Sequence, residues 1–197
     1  HVYCSPITRA NPGSLHGYDV VAHDEISTEL GGVAGFERFP AALREQGLGL
    51  LLDLVPNHMG IAGADNAWWA DVLENGEASL YARHFDIDWH PLDAAIDAKV
   101  LLPVLGDPYG SVLDRGELRL AFEAESGSFA LRYHEHRFAI DVCDYAVLLG
   151  AAGIDAPELR DELATIVLGF AGLPSRFERD DEALAPRARA AGSAPGR

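Results

Sequence analysis

Residues 48–58 read LGLLLDLVPNH, an unbroken run of Leu and Val that stops abruptly at Asp53, Asn57 and His58. No other feature constrains the fold as much. A short run with no polar break reads as a strand of the kind found in parallel sheets, where helices cover both faces. Upstream, HVYCSPI is a short apolar and β-branched run ending at Pro6, which predicts a strand that stops on entering a loop. Between the two, GGVAGFERFPAALREQG places Val33, Phe36, Phe39 and Leu43 three and four residues apart. That spacing predicts an amphipathic helix closed by Gly47, with Pro40 inside it. The segment TRANPGSLHGYDVVAHDEISTELGG, before the helix, reads as a long polar loop without periodicity. Loops of that length inside a compact domain tend to be functional.

Strand, loop, helix, strand is a βαβ unit, which makes its two strands parallel and its crossover right-handed. In such sheets and barrels, ligands gather at the carboxyl ends of the strands. Both SPITRANPGSLHGYD and DLVPNH fall at such ends, so the two loops are expected to converge on one rim. Asp53, Asn57 and His58 are therefore one candidate site, with Pro56 stiffening the exit. A buried carboxylate there can hold a neighbouring cation, and an imidazole can donate to a ligand hydroxyl. The alternative is that Asp53 caps a turn and His58 is a satisfied buried histidine. His16-Gly17-Tyr18-Asp19 is the second candidate. Gly17 permits an unusual backbone conformation, and Tyr18 offers a flat face on which a sugar ring or other apolar face could pack, with a polar tip. Equally, Tyr18 is read as anchoring its loop to the body.

Beyond residue 60 the character changes. NAWWADVLENGEASLYARHFDIDWH is dense in aromatics, and Trp68, Trp69, Tyr81, Phe85 and Trp89 read as a small core in preference to a sugar-stacking cluster. AAIDAKVLLPVLGDPYGSVLDRG predicts a strand, a turn and a short helix. ELRLAFEAESGSFALRYHEHRFAIDV predicts a hairpin of two alternating runs joined through Ser126-Gly127-Ser128. His134 and His136 alternate onto one strand face, too few for a metal site, which wants three or four ligands. YAVLLG and APELRDELATIVLGFAGL predict helix, the latter with Leu159, Leu163, Ile166, Val167 and Phe170 on one face.

The domain organisation expected is a partial barrel over 1–60 and an inserted mixed α/β subdomain over 61–142. A helical segment over 143–185 follows, then a disordered tail over 186–197. Residue 1 is His within a strand, and APRARAAGSAPGR has no hydrophobic period, so the chain reads as a piece of a longer one. A net charge of −16, with 15 Lys and Arg, argues against nucleic acid, whose phosphates need basic side chains. No apolar stretch approaches the roughly 20 residues of a membrane span. The two cysteines, Cys4 and Cys143, read as free thiols of a cytoplasmic protein.

These residues carry a resemblance. DLVPNH resembles the first motif of the α-amylase superfamily of glycoside hydrolases, at the end of the third barrel strand, and HGYD resembles that superfamily's sugar-binding tyrosine loop. Within it, SPITRANPGSLHGYDV, WWADVLENGEASLYARHFDIDW, LLPVLGDPYGSVL, GELRL and HEHRF resemble the maltooligosyl trehalose synthases, over about residues 1–145. The resemblance implies an α/β fold, a partial (β/α)8 TIM barrel holding about strands 2 and 3 and a mixed α/β subdomain inserted after the third. It implies conversion of the reducing-end α-1,4 bond of a maltooligosaccharide, an α-1,4-glucan, into an α,α-1,1 bond. That chemistry runs by the retaining route: a carboxylate attacks the anomeric carbon and a carboxylic acid protonates the leaving oxygen. The released glucose then attacks in place of water, which demands a water-poor pocket.

By position, the resemblance makes Tyr18 the stacking face at the scissile bond and His58 a hydroxyl contact of the same sugar. His16 and Asp19 join them in substrate binding, while Asp53 and Asn57 are structural rim residues. It implies no cofactor. In many amylases the Asn57 position also ligates calcium, but the remaining ligands cannot be identified here and no metal is assigned. The superfamily's nucleophile stands in a Gly-x-Arg-x-Asp segment, and none occurs among the 197 residues. The chain alone is therefore expected to be inactive. Two other readings are a hydrolase of α-amylase type and a non-catalytic carbohydrate-binding remnant.

Overall fold

The computed structural model describes residues 1–152 and 157–174, in two compact units. The tail expected over 186–197, and the end of the helical segment expected over 143–185, lie outside the described residues.

The first unit spans His1–Ala67. Its strands β1 (Val2–Cys4) and β4 (Leu50–Leu52) lie parallel, Tyr3 opposite Leu51. The ladder continues at both ends, Val2 N donating to Gly49 O at 2.8 Å and Asp53 N to Cys4 O at 3.0 Å. The parallel pairing and the intervening helix agree with the βαβ expectation. Burial does not: Leu51 is 59% exposed, with Leu50 and Leu52 half-buried. In this two-stranded sheet no other described strand flanks either partner.

Helix α1 (Gly32–Glu45) begins at Gly31, whose φ of 100° requires a residue without Cβ, and contains Pro40. It ends in a Schellman motif. Gly47, at φ +66°, donates to Arg44 O, and Leu48 donates back to Leu43 O. Of the expected apolar face, Leu43 is buried and Phe36 half-buried, while Val33 and Phe39 are exposed.

The long loop expected before the helix is a correction. It holds an antiparallel pair, β2 (Thr8–Ala10) and β3 (Val20–Ile26), and the core of the unit runs through Val20, Val21 and Ala22. The register shifts on both sides of Arg9, so no clean alternation marks the strands.

The second unit begins at Trp68. Helix α2 (Ala67–Asn75) buries Trp69 and Val72. Trp69 packs on Phe85 at 5.0 Å between ring centroids, and Trp68 stacks on Tyr81 at 5.0 Å and meets His84 at 4.9 Å. Four of the aromatics thus pack in two pairs, and of the four Trp69 is buried. A short helix, α3 (Tyr109–Asp114), follows as expected. The strand expected in VLLPVL does not form: Pro103 has no N–H to give a ladder, and Val104 N turns back to Leu102 O.

The expected hairpin is a three-stranded antiparallel meander, β5 (Arg119–Glu123), β6 (Ser128–Tyr133) and β7 (His136–Ala139). Gly127, at φ +67°, makes the first turn. The second is the two-residue loop His134-Glu135, with Tyr133 opposite His136. His134 therefore sits in the turn at φ +48° and does not share a strand face with His136. Tyr145 is buried at the start of α4 (Tyr145–Ala152), and its hydroxyl accepts from Phe129 N at 2.9 Å. It also packs on Phe170 of α5 (Arg160–Ala171) at 5.2 Å. On α5 the half-buried face is Leu163, Val167 and Phe170, while Leu159 and Ile166 are exposed.

Candidate sugar-binding rim

Because β1 and β4 are parallel, their carboxyl ends open on one side, and Asp53 is the first residue past β4. Its backbone N–H still belongs to the ladder, so its carboxylate is held at the sheet end. Opposite Leu51 stands Tyr3, and a long side chain reaches diagonally to the residue two positions on. Tyr3 Oη donates to Asp53 Oδ2 at 2.6 Å, and Tyr18 Oη donates to the same oxygen at 2.7 Å. The two hydroxyls lie 3.4 Å apart. One carboxylate oxygen has lone pairs for both phenols, and the ionised form accepts most strongly. The donation from Tyr3, then that from Tyr18, holds the Asp53 carboxyl below the ordinary aspartate range. The same bond to the carboxylate pushes the Tyr3 phenol up.

Tyr18 is fixed at three points. Besides its hydroxyl, its N–H donates to His16 Nδ1 at 3.0 Å, and its carbonyl lies 3.0 Å from His58 Nε2. A carbonyl can only accept, so His58 carries its proton on Nε2, and in the neutral ring Nδ1 is left as an acceptor. By the same logic His16 accepts at Nδ1 and presents Nε2–H. The His16 and Tyr18 rings face each other at 6.0 Å and 29°. Tyr18 remains 37% exposed after all of these contacts.

The turn carrying Tyr18 is built around Asp19. One carboxylate oxygen accepts from Ser14 Oγ, the other from Asn11 Nδ2 at 3.1 Å. Burial works to raise the Asp19 carboxyl, but the bonds from Ser14 and Asn11 outweigh it, and the net shift is downward. Gly17, at φ +74°, is tied by its N–H to Ser14 Oγ at 3.2 Å. A Cβ there would sit 2.5 Å from Pro6 O, so only glycine fits.

Five of the six expected residues come together: Tyr18 and Asp53 share a hydrogen bond, His58 and His16 hold Tyr18, and Asp19 holds its loop. Asn57 is exposed on the following segment and makes no side-chain hydrogen bond among the described residues. Tyr3 was missed, since a single tyrosine in an apolar strand reads as filler. The register that sets it diagonal to Asp53 is the signal that would have found it. Among the described residues no group of three or more His, Cys, Asp or Glu is placed to hold a metal ion, and no helix is long and apolar enough to cross a membrane.

Residues 1–103, just over half of the chain, match the catalytic domain of alpha amylase. A candidate maltooligosyl trehalose synthase of Mycobacterium tuberculosis is 43% identical over 136 residues, covering 64% of this chain and 17% of that protein. The solved maltooligosyltrehalose synthase of Arthrobacter ramosus is 40% identical, with a TM-score of 0.59, over 71% of this chain and 17% of its own. An intracellular maltogenic amylase of Bacillus subtilis is 33% identical over 91 residues, 46% of this chain and 15% of that protein. The chain thus spans under a fifth of the length of these relatives. With more than half of its residues inside one family's catalytic domain, this chain belongs to the alpha-amylase family.

Proposed function

We propose that this chain is the sugar-rim portion of a maltooligosyl trehalose synthase. In this reading β1 and β4 are the second and third strands of a (β/α)8 barrel, and residues 61–142 form the subdomain inserted after the third. The whole protein would turn the reducing-end α-1,4 bond of a maltooligosaccharide into an α,α-1,1 bond, in the cytoplasm. The observation that carries the reading is how far the likeness extends. The synthases match 64–71% of the chain, well into the second unit, whereas the maltogenic amylase matches 46%.

In this reading each rim residue has a task. Tyr18 offers its exposed ring to the sugar face, held flat by the Asp53 carboxylate. His58 binds through Nδ1, accepting from a sugar hydroxyl, because Nε2 is engaged by Tyr18 O. His16 presents Nε2–H to the same ligand, and Asp19 acts on the sugar only through the loop it holds. None of these groups is the attacking carboxylate or the proton donor, and the 197-residue chain by itself is expected to give no turnover.

The test feeds maltopentaose to the full-length protein that carries this chain. Loss of reducing ends with no shorter sugar formed supports the mutase. New reducing ends appearing in step with cleavage would instead make it a hydrolase, the reading that the likeness to the maltogenic amylase favours.

A further inference from the structure

Tyr3 has no task in the proposed sugar contacts, yet it makes the shorter of the two bonds to Asp53 Oδ2, 2.6 Å against 2.7 Å for Tyr18. The two phenols come from different places in the chain, one from strand β1 and one from the turn between β2 and β3. Their hydroxyls are in contact at 3.4 Å. A carboxylate at a strand end can turn about its χ angles, and a single phenol would turn with it. Two donors on one oxygen, one of them anchored in the strand ladder, leave a single orientation. We propose that Tyr3 is a positioning residue of the sugar rim: it fixes the Asp53 carboxylate, and through it the tilt of the Tyr18 ring against the sugar. The inference rests on the sugar-rim reading above.

A second observation fits this role. Tyr3 is 60% exposed, so its ring contributes little to a core, and what Tyr3→Phe removes is the bond to Asp53. A stacking face held in place serves ground state and transition state alike, so its loss raises KM and leaves kcat comparatively unaffected.

The test uses the full-length protein and maltopentaose. Tyr3→Phe is expected to raise KM about threefold to tenfold, with kcat falling by less than about twofold. Tyr18→Phe cuts the other arm of the same link, so the double variant should cost clearly less than the product of the two single effects. A KM unchanged in Tyr3→Phe, or KM effects of the two variants that simply multiply, would overturn the proposal. A fall in melting temperature equal to that of the control variant Tyr109→Phe, an exposed tyrosine of the second unit, shows that folding is not the cause. If Tyr3→Phe does not fold, Tyr3→His, which keeps a ring donor, must retain a KM nearer wild type than Tyr3→Ala; equal KM values in those two would also overturn it. The mutase reading is scored separately, by the products of the wild-type protein. Should those be shorter reducing sugars, that reading fails while the KM comparison still decides the role of Tyr3.

Discussion

Two carboxylates, Asp53 in the first unit and Glu123 in the second, each gather several hydrogen bonds, and the two are held by opposite means. In the first unit Asp53 receives two neutral phenols and keeps its full negative charge at an exposed strand end. In the second, Glu123 of β5 receives Arg137 of β7 through both oxygens, the closest contact 2.6 Å, together with Arg132 of β6. The guanidinium of Arg137, foremost, brings the Glu123 carboxyl down to about 2. Glu123 is neutralised and stitches three strands together, so nothing is left over for a ligand. Asp53 orients a ring that stays open to solvent. A carboxylate held by neutral donors can organise a binding face; one held by cations mainly holds a sheet.

The first unit should break most severely at its backbone. Gly17→Ala adds a Cβ 2.5 Å from Pro6 O, at a φ of +74°. The turn must shift, and Tyr18 with it. A displacement of about 1 Å at a binding group can cost on the order of 100-fold. Steady-state kinetics of the full-length variant on maltopentaose should show kcat/KM down by about that factor, while hydrogen exchange in β5–β7 stays as in wild type. A kcat/KM within about threefold of wild type would mean that Tyr18 is not positioned by this turn.

The second unit should break at Arg137. Its side chain is 15% exposed, and Arg137→Leu leaves a partly buried carboxylate with Arg132 and the Ser128 hydroxyl. Loss of a charge-assisted bond of this kind costs about 2 kcal/mol, some 30-fold faster exchange of the β6 amides, with substrate KM unchanged. Asp53→Asn should do the reverse, weakening sugar binding while leaving β6 exchange alone. A variant that moved both readouts would erase the contrast between the two networks.

How much of this the sequence carried depends on the kind of signal. The parallel pair and α1 were legible because apolar runs and a three-and-four spacing are strong local patterns. The pair β2–β3 was not, since its register shifts around Arg9 scatter the alternation, and its buried Val20 and Val21 lie next to the polar HGYD turn. The strand expected at VLLPVL failed on a single missing N–H. In RYHEHRF the alternation ran straight through a two-residue turn, because Tyr133 and His136 are partners across it and keep the polar rhythm intact. At the rim, the residues were legible but their hydrogen-bond roles were not. Which ring nitrogen His58 has left for a ligand depends on the carbonyl of Tyr18, 40 residues away in the chain.

Acid separates the networks more gently. Glu123 has a folded pKa depressed to about 2. Its stabilisation is therefore complete above the ordinary carboxylate range, near 4.5, and is lost as pH falls from there toward about 2. Exchange protection in β6, corrected for intrinsic rates, should be flat from neutral pH to about 5 and decline below. In Glu123→Gln that decline should be absent; its persistence would assign the acid sensitivity to another group.

Salt gives the smallest effect and the cleanest contrast. At about 1 M NaCl the screening length is near 3 Å, so the attraction of Glu123 for two guanidiniums, partly open to solvent, is weakened. The bonds from Tyr3 and Tyr18 to Asp53 join a charge to neutral hydroxyls at contact distance, where screening has little to act on. The stability lost in Arg137→Leu should therefore shrink by up to about 0.5 kcal/mol between low and high salt. The KM ratio of Tyr3→Phe to wild type should not change over the same range. A KM ratio that collapsed in high salt would mean that Tyr3 acts through a long-range field, and the two carboxylates would then be held by the same physics after all.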